Sequence, residues 1–378
     1  MTPEGILIGN RTVGTGRVLV VAEIGVNHGG SVGEGLKLID AAADCGADAV
    51  KFQTFHADRL MVAGDCRFSH QGDGGESAYQ MFRRLELSME DHEKLKRQAD
   101  QRGVIFLSTP FDEESVDFLD QLGVPAFKVA SGDATHIPLL QRIGAKGKPV
   151  LLSTGMCYLS EIAEAVWTLN AAGAKELLLL HCVSVYPATP DSLNLRAIRT
   201  LSEQFGLPVG YSDHSQDILY SLMAACLGAV LIEKHFTLDK NAPGPDHRLS
   251  MDPEELRSLV HNLRKVELSL GDGRKRPACA EEENRALSRR SIVTGVDVRA
   301  DETVARWMVA YKRPGTGIEP SQADKVIGMR ARRDLPRNTI LQWDDLASVL
   351  PEEIPTANGI QTSHGAAVQT ASKLPCVK

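Results

Sequence analysis

Two histidines, His214 and His235, each close a short apolar run, in the contexts Ser-Asp-His (212–214) and Glu-Lys-His-Phe (233–236). If those runs are neighbouring β-strands, about 4.8 Å apart, both imidazoles can converge on one divalent ion at about 2.0–2.2 Å from each. Two protein nitrogens leave positions open for water and substrate, as Lewis-acid catalysis requires. Either histidine alone would read as an ordinary strand-end residue; the pairing favours a metal. Lys51 and Lys128 also stand in apolar runs, where an unpaired ammonium is costly. Each needs an anion, either an internal carboxylate such as Glu23 or Glu233 or a doubly anionic ligand. Thr109, Ser131, Ser153, Ser184 and Ser212 fall at comparable positions and supply hydroxyls suited to phosphate and carboxylate oxygens.

Two lysines and a ring of hydroxyls suit a small phosphorylated acid better than a nucleotide. No P-loop occurs, and the Gly-Val-Asn-His-Gly-Gly run at 25–30 lacks dinucleotide-binding spacing. Glu23 could be a base, an orienter of a metal ligand or a partner for sugar hydroxyls. Asp133 is a second carboxylate placed to move protons, or else a helix N-cap.

The elements that must position these groups emerge from eight β-rich apolar runs: 18–25, 49–55, 104–111, 126–133, 149–156, 177–187, 208–214 and 229–236. Helical spacing fills the intervals, as at 32–46, 88–102, 160–173 and 215–228, and Gly46, Gly103, Gly123, Gly173 and Gly228 follow those patterns where helices end. Strands alternating with helices eight times predict a (β/α)8 TIM barrel. Every run ends in polar residues, and the C-terminal rim is where such barrels carry their active sites. The long segment 56–87, with Gly-Asp-Gly-Gly at 72–75, is expected to fold over that rim as a lid. The barrel is expected to occupy 1–270, followed by a Pro-, Gly- and charge-rich linker at 271–287. A small β-rich unit follows at 288–350, with runs at 291–298 and 304–311 and a closing turn–helix pattern. A Pro/Ser/Thr/Ala/Gly-rich tail at 351–378 reads as disordered.

With 378 residues, 43% hydrophobic and 24% charged, the chain can bury a substantial core. Its net charge of −7 is spread among mixed signs, so a nucleic-acid partner is not expected. Neither a leader pattern nor an apolar run long enough to span a membrane occurs. Seven cysteines without a CxxC pair read mostly as core residues (Cys45, Cys157, Cys182 and Cys226) of a soluble, cytoplasmic protein.

The motifs Ala-Glu-Ile-Gly-Val-Asn-His-Gly-Gly (22–30), Val-Lys-Phe-Gln-Thr (50–54), Ser-Thr-Pro-Phe (108–111), Lys-Val-Ala-Ser-Gly-Asp (128–133), Leu-Ser-Thr-Gly-Met (152–156), Ser-Asp-His, Glu-Lys-His-Phe and Gly-Pro-Asp-His (244–247) occur in this order. Together they resemble the sialic acid (N-acetylneuraminate) synthase family over about 10–350. Residues 288–350, with Lys-Arg-Pro-Gly-Thr-Gly-Ile at 312–318, look like its C-terminal antifreeze-like (SAF) domain.

The resemblance implies an enzyme that condenses phosphoenolpyruvate with N-acetylmannosamine or a related 2,4-diacetamido sugar and water, giving a nonulosonic acid and phosphate. Lys51, Thr109, Lys128, Ser131, Ser153 and Ser212 would hold phosphoenolpyruvate, and His214 and His235 a Mn2+ or Mg2+ ion. Gln53, Phe111, Tyr186 and Asp246 would face the sugar, with Glu23 or Asp133 managing protons. It also implies a domain-swapped homodimer in which Arg313 reaches the partner's site. Ser184, Asp133 and Asp73 depart from members that use N-acetylmannosamine. Arg-Leu-Glu-Leu-Ser (84–88) and Val-Ser-Val-Tyr-Pro (183–187) are similar to the legionaminic and pseudaminic acid branches. Two alternatives compete: another phosphoenolpyruvate-using synthase or a Schiff-base aldolase on the same barrel, with Lys51 or Lys128 as nucleophile, and a non-catalytic carbohydrate- or ice-binding protein.

Overall fold

The structure, a computed structural model, describes residues 5–64 and 76–348. The lid motif at 72–75, Cys66 and the tail 351–378 lie outside the described residues. The chain divides into two compact units, Met1–Asp272 and Gly273–Lys378.

The first unit opens with a hairpin, β1 (Ile6–Ile8) and β2 (Arg11–Val13). Eight parallel strands follow: β3 (Leu19–Gly25), β4 (Ala49–Thr54), β5 (Ile105–Pro110), β6 (Phe127–Val129), β7 (Val150–Ser153), β8 (Leu177–Cys182), β9 (Val209–Asp213) and β10 (Leu231–His235). Ladders run β5-β4-β3-β10-β9-β8-β7-β6, and β5 and β6 pack side by side, bringing the ring almost to closure. The expected TIM barrel is present.

Around it lie α1 (Val32–Asp44), α2 (Ala57–Leu60), α3 (Ala78–Leu85), α4 (Met89–Arg102), α5 (Glu113–Leu122), α6 (Ile137–Gly144), α7 (Leu159–Ala172), α8 (Ala197–Phe205), α9 (Leu219–Cys226) and α10 (Pro253–Leu270). Their ends follow local chemistry. Ser88 caps α4 and Asp112 caps α5 through side-chain oxygens, and Gly103 and Gly123 end them in the left-handed region.

Strand alternation sorts the apolar residues into two cores. Val20, Ala22, Ile24, Val50, Phe52, Phe106 and Leu152 pack outward under the helices. Leu19, Val21, Ala49, Leu107, Ala126, Leu151, Leu180 and Leu231 fill the barrel interior, joined by Ile6, Ile8 and Val13 of the hairpin. The hairpin thus plugs the N-terminal mouth. Buried Asp48 secures that end, with Arg17 at 2.8 Å, Arg264 at 3.4 Å, Arg11 at 3.5 Å and the Val20 amide on its carboxylate.

The strands are shorter than their apolar runs. Ser131–Asp133 is a 3-10 turn, and residues 183–187 leave the sheet. Cys45 and Cys182 are buried as expected, whereas Cys226 is exposed, because it ends α9 on the helix's solvent side. The expected linker also carries structure: the Glu281 side chain accepts from the Ala278 amide, starting a 3-10 turn that leads into α11 (Glu282–Ser288). Among the described residues no helix is long and apolar enough to cross a membrane.

The second unit pairs β11 (Ser291–Thr294) with β12 (Val309–Lys312), and β13 (Arg330–Ala331) with β14 (Leu346–Ala347), around a core of Ile292, Val298, Val304, Val326, Leu335 and Leu341. α12 (Ala323–Val326) is its short helix. The chain closes this unit through a 3-10 turn at Trp343–Asp345 and β14, where a turn and helix were expected.

Candidate active site

Beyond the apolar layer of Val21, Ala49, Leu107, Ala126, Leu151, Leu180 and Leu231, the next inward-facing residue of each strand is polar or ionisable. They are Glu23, Lys51, Thr109, Lys128, Ser153, Cys182 and Glu233, with Ser212 following Gly210 on β9. Period-two geometry therefore decides between neighbours of similar chemistry. Thr109 faces in while Ser108 faces out to Thr54, 2.7 Å away. Ser153 faces in while Thr154 bonds the Leu180 carbonyl. His181 points out to the Leu193 carbonyl at 2.7 Å.

Above this layer opens a cavity of about 570 Å3. Every barrel residue singled out from the sequence lines it: Glu23, Lys51, Gln53, Thr109, Phe111, Lys128, Ser131, Asp133, Ser153, Ser184, Tyr186, Ser212, His214, His235 and Asp246. Arg313 does not; it is an exposed residue just after β12 of the second unit. Two glycines let the lining close up. A Cβ on Gly155 would lie 2.4 Å from Ser184 Oγ and 2.8 Å from Ser131 Oγ, so glycine there lets its own amide donate to Ser131 Oγ at 2.9 Å. Gly25, at φ +54°, sits where a Cβ would crowd Glu23, Gln53 and His235.

The lysines meet internal carboxylates, the first of the two kinds of partner that the sequence left open. Lys51 Nζ is 2.8 Å from Glu23, 3.6 Å from Glu233 and donates to Thr109 Oγ1 at 3.0 Å. Lys128 Nζ has Glu233 at 3.6 Å as its carboxylate neighbour, and burial lowers its pKa. Glu233 was not singled out as a site residue, yet it joins the two lysines and accepts from Ser212 at 3.3 Å. Its signal is position: it lies two residues before His235, on the same strand face.

Burial tends to raise the Glu233 pKa, but Lys128 and Lys51 outweigh this and keep it below the ordinary value. Glu23, by contrast, is pushed up to about 7 by burial against the pull of Lys51. Whenever Glu23 holds its proton, two ammoniums face one carboxylate, leaving positive charge for an anionic ligand. Ser153 Oγ and Glu233 Oε2 are buried without a hydrogen-bond partner, and such groups await a ligand or water.

His214 and His235 end adjacent strands with ring centroids 5.5 Å apart, and Tyr186 lies over His214 at 4.2 Å. The His214 Nδ1–H donates to the Val183 carbonyl at 2.8 Å, leaving Nε2 to serve a ligand. Burial, then the nearby His214 charge, holds His235 well below the ordinary histidine pKa, and its Nδ1 has no hydrogen-bond partner. A buried neutral imidazole with a spare lone pair fits a divalent metal. Burial pulls His214 down, but the Cys182 sulfur, joined by the Val183 carbonyl and Glu233, outweighs it and leaves His214 above its ordinary value, so protons and a metal compete for this imidazole. Among the described residues no set of three or more His, Cys, Asp or Glu forms a metal cage; the histidines would supply two ligands and leave the rest to substrate and water.

Asp133 and Asp246 are each pushed up to about 6 by burial. Asp133 caps no helix: it ends the 3-10 turn, and the α6 cap residue His136 makes no capping bond. The described lid segments form the outer wall. Leu60 of α2 and Met81 and Phe82 of α3 join Val26, Phe55 and Phe111 in an apolar cluster. A Ser77–Gln80 capping box starts α3, a spacing visible in the sequence.

The chain matches the NeuB family over residues 38–275 and the SAF domain over 289–347. It is 44% identical over 334 residues to the N,N'-diacetyllegionaminic acid synthase of Legionella pneumophila, covering 86% of this chain and 94% of that protein. Identity to the N-acetylneuraminate-9-phosphate synthase of Mus musculus is 35%, covering 78% of this chain and 82% of the relative. The crystal structure of an N-acetylneuraminic acid synthetase from Leptospira borgpetersenii superposes with a TM-score of 0.68 at 35% identity, covering 74% of this chain and 95% of that one.

Proposed function

Because this chain belongs to the NeuB family of nonulosonic acid synthases and carries a SAF domain after its barrel, we propose that it is a metal-dependent transferase joining phosphoenolpyruvate to an amino-sugar aldehyde. The observation that carries this reading is one cavity holding two buried imidazoles beside two buried ammoniums. Lys128, Lys51 and the hydroxyls of Thr109, Ser131, Ser153 and Ser212 grip the phosphate and carboxylate of phosphoenolpyruvate. His214 and His235 would hold Mn2+ or Mg2+, which supplies Lewis-acid polarisation of the sugar aldehyde.

The remaining chemistry is positioning and proton transfer. C3 of phosphoenolpyruvate attacks the aldehyde carbon, and the new alkoxide takes a proton, for which Glu23, held up to about 7, is suited. Water adds at C2 as its proton passes to Asp133, and the C2–O bond breaks to expel phosphate. Asp133 must be ionised for this and its carboxyl is pushed up to about 6, so turnover falls as pH drops through 6. Asp133→Asn should lower kcat about 100-fold at pH 8. Its acid limb, in initial rates from pH 5 to 9, should lose one proton of steepness while Asp246 continues to titrate.

The apolar wall of Val26, Leu60, Met81, Phe82 and Phe111 supports a 2,4-diacetamido-trideoxy sugar. In this reading Lys51 and Lys128 hold phosphoenolpyruvate, and no other lysine or arginine of this chain lines the described cavity, so a sugar phosphate would find no second cation in this chain's own barrel lining. In phosphate-release assays with Mn2+, kcat/KM for the diacetamido sugar should exceed that for N-acetylmannosamine 6-phosphate by about 100-fold or more. Equal rates would contradict this preference.

The enzyme acts as a homodimer in which Arg313, exposed on the second unit, completes the partner's sugar site. Arg313→Ala should chiefly raise the KM for sugar. A heterodimer of Arg313→Ala with His235→Ala carries one intact site of two, so it should regain about half of wild-type activity per dimer, or about a quarter in a random equimolar mixture; verified heterodimers without recovery would rule out sharing.

A further inference from the structure

Two members of the histidine motifs take no part in the cavity. Asp213 and Lys234 directly precede His214 and His235, so alternation turns their side chains to the outer face of the barrel. Both are 1% exposed. They stand opposite each other in the β9–β10 ladder, with Lys234 Nζ 3.0 Å from Asp213 Oδ2. Asp213 Oδ1 accepts from the Ser215 amide at 2.8 Å and from the Tyr211 hydroxyl at 3.3 Å. Its Oδ2 accepts from Ser221 Oγ at 2.6 Å. The Lys234 ammonium donates in addition to the Ser215 carbonyl.

The residues on either side of His214 are therefore both held by one ammonium, which belongs to the residue beside His235. A buried ion pair is a poor way to gain stability, because desolvation offsets its attraction and an apolar pair of similar volume often does as well. Its geometry is a better guide to its use: it ties together the two strand ends that present the imidazoles.

We propose that the Asp213–Lys234 pair is a positioning clamp that fixes the separation and orientation of His214 and His235 for one divalent ion. The clamp rests on the reading that these histidines bind the metal. Groups that hydrogen-bond a metal ligand typically change metal affinity by about 10- to 100-fold when removed, and the clamp acts on the two ligands through the backbone, one residue away.

Mn2+ binding to the full-length dialysed protein, followed by the electron paramagnetic resonance of free Mn2+, tests this without reference to turnover. The neutral double variant Asp213→Asn/Lys234→Met removes the pair without stranding a charge, and should bind Mn2+ about 10- to 100-fold more weakly while remaining folded. Ser221→Ala, which removes one bond to the carboxylate, should weaken binding about three- to tenfold. Asp48→Asn loosens the opposite end of the barrel and should lower Tm while leaving the Mn2+ Kd unchanged, separating positioning from stability.

A folded double variant with wild-type Kd overturns the clamp. If that variant does not fold, a wild-type Kd in Ser221→Ala overturns it instead. His235→Ala serves as the control on the premise. Undiminished Mn2+ binding there removes the histidine reading and the clamp together, whereas lost binding there with intact binding in the double variant removes the clamp alone.

Discussion

His235→Ala should lower kcat/KM by about 1,000-fold or more and abolish the response to added Mn2+, while the protein stays folded. The magnitude follows from losing one of two protein ligands to an ion whose charge stabilisation is worth several kcal/mol, at about 1.36 kcal/mol per tenfold in rate. The small structural cost follows from the site: His235 opens onto an existing cavity, its Nδ1 has no hydrogen-bond partner, and Asp246 Oδ2 stands 3.6 Å from it, beyond hydrogen-bond reach. Truncation therefore breaks little that the fold depends on. Rates with and without a chelator, together with a thermal melt, check both halves. Normal activity of the chelator-treated variant would remove His235 from the metal site.

Lys128→Met should raise the KM for phosphoenolpyruvate by about 30- to 1,000-fold and leave the KM for sugar nearly unchanged. Losing a buried charge-assisted contact costs about 2–4 kcal/mol, which converts to that range. Lys128 is a better target than Lys51 because Lys51 is already occupied by Glu23 at 2.8 Å and Thr109 at 3.0 Å. The carboxylate nearest Lys128 is 3.6 Å away, leaving its ammonium more capacity for a ligand. Initial rates over a phosphoenolpyruvate series at saturating sugar separate the two constants. An increase confined to the sugar KM would place Lys128 at the other end of the cavity.

The barrel was legible because its strands are continuous Val, Ile and Leu runs, and helix ends such as Gly103 and Gly123 follow local rules. The cavity residues were legible because each run ends in chemistry an apolar strand would otherwise avoid. The facing of adjacent polar pairs was not: Ser108 and Thr109 look alike until the apolar layer below fixes the parity. Glu233 was passed over as a mere ion-pair partner, although two-residue spacing from His235 puts it on the ligand side.

The N-terminal hairpin escaped because its strands are three residues each, too short for a periodic signal. The Gly9-Asn10 pair between Ile8 and Arg11 is the turn chemistry that marks it. The apolar outer wall of the cavity comes from α2 and α3, brought together across a long segment by contacts such as that of Arg83 with Asp58. No local pattern encodes that packing. The outward pairing of Asp213 with Lys234 needs both strands in register, and a single run cannot reveal it.

The most direct test uses phosphoenolpyruvate carrying 18O in its C2–O–P bridge, incubated with the enzyme, Mn2+ and a 2,4-diacetamido-trideoxy sugar. Condensation with C–O cleavage should release one phosphate per nonulosonic acid, with the label in the phosphate. Label retained in the nine-carbon product, or pyruvate serving as the carbon donor with borohydride trapping a Lys128 or Lys51 adduct, would instead make the protein a different enzyme on the same barrel.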